Sequence, residues 1–208
     1  MARYTGADCR LCRRAGEKLF LKGERCFTPK CGVERRRNPP GQVFQRRRRT
    51  SDWGLQLREK QKVKVIYGVL ERQFRRYIEQ AQKASQATGD VLLQLLERRL
   101  DNVVFRLDFA ESRDQARQLV NHGHITVAGH KVNIPSYRVK PGEEVGWKAS
   151  SQEKEFAKVI AAGIPRKNVP QWLSLDVGVM KGNILRLPEP GDIDTGVETR
   201  LIVEFYSK

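Results

Sequence analysis

Four cysteines, Cys9, Cys12, Cys26 and Cys31, crowd into the first 31 residues of this 208-residue chain, and no cysteine follows. Their spacing is C-x2-C, thirteen residues, then C-x4-C. Two close pairs separated by a loop can wrap a tetrahedral ion, each pair contributing two thiolates. Arg10, Arg13, Arg14, Arg25 and Lys30 surround them in sequence and favour the thiolate form electrostatically. Four sulfurs suit zinc, and an iron–sulfur cluster uses the same ligands. Two disulfides or free thiols are the alternative. No histidine completes a catalytic arrangement here. The spacing therefore predicts a closed structural site that folds a segment too short and polar to fold alone.

The next chemistry is charge. Residues 34–50 read ERRRNPPGQVFQRRRRT, with Arg35, Arg36 and Arg37 before the Pro39-Pro40-Gly41 turn and Arg46, Arg47, Arg48 and Arg49 after it. Such runs repel themselves and order only against anions. A nuclear-localisation signal is the competing reading of any arginine run. The whole chain carries 40 Lys and Arg against 24 Asp and Glu, net +16. Residues 1–50 hold 15 basic and 4 acidic residues (net +11), whereas residues 151–208 hold 8 of each. A basic module joined to a neutral body fits a nucleic-acid partner better than a membrane. No run of 18 apolar residues exists to span a bilayer, and Met1-Ala2-Arg3-Tyr4 starts no signal-peptide core. A cytosolic location with reduced thiols is the default expectation.

Catalytic constellations are hard to assemble. His122, His124 and His130 are the three histidines, and the first two flank one glycine at an element boundary, where capping or packing is commoner than metal binding. Outside the amino-terminal cluster there is no cysteine for a Cys–His nucleophile. We find no phosphate-cradling glycine loop and no paired carboxylates with a cleft. The chain is expected to be no enzyme and to have no small-molecule substrate.

Several helices must position these residues. Ser51-Asp52 can cap a helix from Trp53 that carries Arg58, Lys60, Lys62 and Lys64 and stops at Tyr67-Gly68. A second starts near Leu70-Glu71, with Phe74, Tyr77, Ile78 and Ala81 on one stripe and Arg72, Arg75 and Arg76 off it. Gly89-Asp90 reads as a break, and 91–100 as a third, apolar helix. Lys154–Ala162 reads as a short helix. Residues 172–177 and 182–188 alternate like strands, and Leu201–Tyr206 reads as a final strand.

The stretch 101–145 couples short helices to a small sheet. Ser112 caps a helix with Ala116, Leu119 and Val120 on one face, while Arg113, Arg117 and Gln118 point mostly away from it. That helix ends near Asn121-His122-Gly123. Ile125-Thr126-Val127 is strand-like, Ala128-Gly129 a turn, and Lys131–Ile134 alternates. Ser136-Tyr137-Arg138-Val139 then leads through Pro141-Gly142 to Val145. A twisted sheet studded with Arg, Lys, Asn and Tyr suits structured RNA, which is read through shape, phosphates and 2′-hydroxyls. An ordinary α+β domain with a solvated polar face is the bland alternative.

At these residues a resemblance enters. Ser112-Arg113-x-x-Ala116-x-x-Leu119-Val120, then Gly123-His124-Ile125 and Pro135-Ser136-Tyr137, resemble the S-four RNA-binding module. Ribosomal proteins, pseudouridine synthases, tyrosyl-tRNA synthetases and a heat-shock protein share that module. A pseudouridine synthase needs a longer chain, with a catalytic domain after the module. With RYTGADCRLCRRAGEKLFLKGERC, ERRRNPPGQ, LREKQKVKVIYGVLERQF, LLERRLDNVVFRLDFAESRDQARQLVNHGHITV, VNIPSYRVKPGEE, WLSLDVGVMKGNILRLPEP and LIVEFYS added, the resemblance runs over nearly the whole chain. It is to the bacterial small-subunit ribosomal protein S-four family in its four-cysteine form.

The resemblance implies an α+β, multi-domain fold. Residues 1–45 would form the metal-binding basic segment and 46–97 a helical RNA-binding domain completed by 177–208. Residues 98–176 would be the inserted S-four module and its extension. It implies early, direct binding to small-subunit ribosomal RNA at a multi-helix junction, which nucleates assembly. It further implies contact with the small-subunit protein S-five, a shared effect on decoding accuracy, and Arg46–Arg49 near the channel by which messenger RNA enters. Candidate RNA contacts are Arg13, Arg14, Arg35–Arg37, Arg46–Arg49, Arg58, Lys60, Lys62, Lys64, Arg72, Arg75, Arg76, Arg113, Arg117, Tyr137 and Arg138. Departures fall at Val43-Phe44, often His-Gly in the family, and at Val65 and Asp114, both often basic. Ala128 and His130 stand in a turn that is often Asn-Gly-Arg.

Overall fold

The computed structural model of the chain describes residues 4–36, 38–42, 50–164 and 168–207. In chain order its elements begin with α1 (Asp8–Ala15), a 3-10 turn at Gly23–Phe27, α2 (Gly32–Arg35), α3 (Asp52–Ile66) and α4 (Glu71–Gln82). Next come α5 (Thr88–Glu97), α6 (Leu100–Arg106), α7 (Arg113–Asn121), β1 (Ile125–Val127), β2 (His130–Lys131) and β3 (Glu144–Trp147). The chain finishes with α8 (Ala149–Gln152), α9 (Glu155–Ala162), β4 (Leu173–Asp176), β5 (Lys181–Ile184), a 3-10 turn at Pro190–Asp192 and α10 (Thr199–Tyr206). Two compact units divide it. One runs to Gly89 and resumes at Thr195; the other is Asp90–Asp194.

In the first unit Ser51 opens α3, its Oγ accepting from the Gly54 N–H at 3.3 Å and satisfying a donor with no partner inside the helix. Tyr67 and Gly68 close the helix, Gly68 at φ +59°. α4 buries Phe74, Tyr77, Ile78 and Ala81 on one stripe, as the spacing predicts. The carboxyl end departs from expectation: residues 201–206 are helical, not a strand. In α10 Ile202 is fully buried, the Phe205 ring lies 6.0 Å from Trp53, and Gln56 Nε2 on α3 donates to Glu204 at 3.2 Å. A strand-favouring run becomes helix because its packing partner here is α3 rather than a sheet edge. The described strands all belong to the other unit.

The second unit wraps helices on an antiparallel sheet of order β2-β1-β3-β5-β4. Thr126 faces Gly146, Val145 faces Gly182, and Ser174 faces Asn183. Ser112 caps α7 by accepting from the Gln115 N–H at 3.2 Å, and Gly123 follows the helix at φ +71°. The core joins Leu100, Val103, Val104 and Leu107 of the α6 region to Ala116 and Val120 of α7, Ile125 and Val145 of the sheet, and Trp172. The apolar run 91–100 is two helices rather than one. Arg98 and Arg99 leave the helix to pair with the segment around Arg138: Leu100 N–H donates to Tyr137 O at 2.8 Å and Val139 N–H to Arg98 O at 3.0 Å. Within residues 136–139 the bridge is the single pair Arg138–Arg99, and β2 ends at Lys131, although the Val132 N–H still donates to Ile125 O at 3.2 Å.

The boundaries differ from those expected. β5 pairs with β3, so residues 177–194 stay in the second unit and the chain rejoins the first at Thr195 rather than at 177. The first compact unit ends at Gly89, inside the first turn of α5, so Gly89-Asp90 is helical and not a break. A Cβ on Gly89 would come within 2.6 Å of Thr199 Oγ1, so glycine allows that close approach inside a helix. Nor does the cysteine-rich segment stand apart from the first unit, since Lys62 Nζ on α3 lies 2.7 Å from Glu17.

Candidate nucleic-acid interface

α1 carries Cys9 and Cys12 at i, i+3 on one face, the 3-10 turn supplies Cys26, and Cys31 is the N-cap of α2. Cys12, Cys26 and Cys31 are buried and Cys9 is half-buried, all as free thiols. The Lys22 N–H donates to Cys26 Sγ at 3.4 Å, and a Cβ on Gly32 would come within 2.7 Å of Cys9 Cβ. Burial pushes the Cys12 thiol up, a backbone hydrogen bond at Leu19 offsets part of this, and Cys26, Cys9 and Cys31 push it further. The thiols are neighbours, but among the described residues no three His, Cys, Asp or Glu side chains converge as a metal-binding group.

Around the cysteine-rich segment and along α3 and α4 most of the described arginines point outward. Arg14, Arg35, Arg36, Arg58, Arg72, Arg75 and Arg76 are exposed. On α4 the buried stripe fixes the orientation: with Phe74, Tyr77 and Ile78 inward, positions 72, 75 and 76 face solvent. Arg75 Nε touches Glu71 at 3.6 Å yet keeps 66% of its side chain exposed. Arg13 is half-buried instead, donating to the carbonyls of Asn38 (2.9 Å) and Pro39 (3.3 Å), and so holds the proline turn. Arg37 and Arg46–Arg49 lie outside the described residues, as do Val43 and Phe44.

The lysines of α3 correct the sequence reading. Lys60 is buried, its Nζ 2.9 Å from Glu71 Oε1 and 4.8 Å from the centre of the Phe205 ring. Lys64 Nζ meets Glu71 Oε2 at 2.6 Å. Buried Lys62 contacts Glu17 and donates to Gly196 O at 2.6 Å. Burial alone would raise the Glu71 carboxyl, but hydrogen bonds from Lys64, Lys60 and Tyr206 bring it down to about 2. These ammonium groups are neutralised inside the unit, because a buried charge without a partner is too costly to keep. They tie α3, α4 and α10 together.

Of the four candidates in the second unit, three are committed inward. Arg117 is buried, with Nη1 3.1 Å from Asp101 Oδ2, and the same carboxylate takes Arg99 Nη2 at 2.7 Å. Arg113 Nε donates to Asn102 Oδ1 at 2.8 Å, and its guanidinium lies 4.4 Å from the Phe105 ring centre. Tyr137 OH donates to Glu143 at 2.9 Å. Arg138 is half-buried and pairs with Arg99 through the backbone. Glu97, fully buried, accepts from Arg106 at 2.7 Å and from Asn102 Nδ2 at 2.7 Å.

Sequence reading missed the exposed lysines that lie around His124. Burial, with Lys154, His122, Lys131 and Lys148 around it, holds the His124 imidazole below its ordinary value. The four neighbours are exposed, and His124 Nδ1 sits 3.0 Å from Ser151 Oγ. Lys131, Lys148 and Lys154 are scattered singly along the chain and gather around His124 only when β2, α8 and α9 are in place. Exposed cations on a rigid frame can neutralise phosphates without a large rearrangement.

Comparison with known proteins completes the picture. Residues 3–97 match the family described as Ribosomal protein S4/S9 N-terminal domain, and residues 98–145 match the S4 domain. The chain is 56% identical over 209 residues to the small ribosomal subunit protein uS4 of Thermus thermophilus, covering 100% of both. It is 56% identical over 208 residues to uS4A of Symbiobacterium thermophilum and 55% identical over 208 residues to uS4 of Geotalea daltonii, again across 100% of each chain.

Proposed function

This chain belongs to the family of small ribosomal subunit protein uS4, and from that premise we propose that it binds the subunit's RNA early, at a multi-helix junction, and nucleates assembly there. It is a structural constituent of the cytoplasmic small ribosomal subunit and an RNA-binding protein, not an enzyme.

The observation that carries the proposal is a division of labour among cations. The α3 lysines are neutralised internally and stiffen the frame, whereas Arg58, Arg72, Arg75 and Arg76 on the same helices are exposed. A rigid array of outward guanidinium groups suits the phosphates of one folded RNA arrangement, since each contact releases counterions and ordering costs little. Arg14, Arg35 and Arg36 extend the array, and Arg37 with Arg46–Arg49 would add to it near the path of messenger RNA. Contact with protein S-five and a shared effect on decoding accuracy belong to the same reading.

The four cysteines fit a zinc ion in chemistry: two pairs of thiols, three of the four sulfurs buried, on a short polar segment. Zinc there would close α1, the 3-10 turn and α2 into one unit. An iron–sulfur cluster on the same ligands is the alternative. The RNA reading is tested by titrating the purified, zinc-loaded chain into small-subunit ribosomal RNA across a salt series, against excess transfer RNA. Binding that survives competitor and moderate salt supports it; binding that collapses equally on both RNAs overturns it.

A further inference from the structure

Phe20 and Phe27 form a stacked pair on the outside of the cysteine-rich segment. Their ring centres are 5.1 Å apart and their planes differ by 27°. Both rings are exposed, Phe20 to 45% and Phe27 to 74%. The backbone turns to put them there. Phe20 adopts φ +50°, a left-handed conformation unfavourable for a bulky L-residue, directly after the buried Leu19. Phe27 directly follows the buried Cys26. Strain of this kind persists where surroundings enforce it and gathers at sites of recognition. Within the described chain each ring covers the other on one side only, so the pair returns little to the fold.

Charge identifies the occupant. Arg25 and Lys30, on either side of Phe27, are exposed. Lys18 and Lys22 flank Phe20, pairing with Glu34 and Asp8. The first 50 residues carry net +11. An exposed aromatic face with the exposed cations Arg25 and Lys30 near it in sequence matches a nucleotide, whose base stacks while its phosphate meets the charge. A greasy protein partner would find the ring but no use for the cations.

Resting on the RNA-binding reading above, we propose that the outer face of Phe27, backed by Phe20, is a stacking platform for one unpaired base of the small-subunit RNA. The platform supplies contact without sequence selection, because every base presents a π-face. It locks the cysteine-rich segment against a bulge or loop in the RNA, whereas the arginines hold its helices.

The full-length, zinc-loaded chain and its Phe27→Ala, Phe27→Leu and Phe27→Tyr variants are titrated into transcribed small-subunit ribosomal RNA across a salt series. Base-reactive footprinting is done on each complex. Phe27 is exposed, so thermal unfolding and metal content should match the parent. Alanine and leucine are expected to weaken binding about tenfold or more with an unchanged salt slope, and to expose one unpaired base that the parent protects. Tyrosine keeps both affinity and protection. Parental affinity and footprint in Phe27→Ala overturn the platform alone. Full function in Phe27→Leu also overturns it, since an apolar contact of the kind a protein partner makes would then suffice. A parent that does not prefer ribosomal to transfer RNA overturns the broader reading and the platform with it.

Discussion

Lys64 Nζ on α3 sits 2.6 Å from Glu71 Oε2 in the first turn of α4, and this contact joins the two helices. Lys60 and the Tyr206 hydroxyl reach the other oxygen, both at 2.9 Å. One carboxylate therefore fastens α3, α4 and α10.

Replacing that carboxylate should loosen the first unit. Glu71→Gln is expected to cost about 2 kcal/mol, the scale of losing hydrogen bonds to a charged group. Urea unfolding followed by Trp53 fluorescence, with Trp147 and Trp172 replaced by phenylalanine, measures it. An unchanged midpoint would refute the role.

The same group sets an acid limit. Its folded-state value, about 2, lies below the ordinary 4.5. A depressed carboxyl contributes stability that is full above about 4.5 and is lost as pH falls toward about 2. The difference in stability between the parent and Glu71→Gln should therefore shrink across that window. A difference constant from pH 6 to about 2.5 would contradict the linkage.

Asp101 in the second unit holds two buried guanidinium groups, Arg99 and Arg117. Asp101→Ala removes their shared counter-charge and is expected to cost about 3–5 kcal/mol. Calorimetric melting reads this directly. A loss under about 1 kcal/mol would place the pairs with ordinary surface bridges.

Exposed and buried cations should separate in RNA binding. Arg72→Ala, Arg75→Ala and Arg76→Ala should each lower affinity and reduce the salt slope by about 1, the share of a single neutralised phosphate. Lys60→Met should lower stability while the folded fraction keeps the parental slope. Equal slopes for all four variants would dismiss α4 as a phosphate-facing surface.

Metal removal is a separate test. One zinc per chain is expected by elemental analysis, lost in Cys26→Ser and on chelation, with melting of the segment that carries α1 and α2. Iron and sulfide in place of zinc would select the cluster instead.

Much of this protein was legible because its signals are local. Ser51 and Ser112 cap helices through hydrogen bonds three residues along, and the Phe74–Ala81 stripe follows helical spacing, so both can be read from neighbours in sequence. The cysteine spacing and the outward Arg72, Arg75 and Arg76 are likewise local facts. Long-range facts were not legible. Leu201–Tyr206 carries strand-favouring residues and becomes α10 because α3 receives it. Lys60, Lys62, Lys64 and Arg117 look in sequence like the exposed arginines beside them. Their carboxylates lie at Glu71, Glu17 and Asp101, and only folding brings each pair together. Charge and periodicity follow from residue type and spacing, whereas which cations are paired inside and which stay exposed depends on which distant acid each one meets.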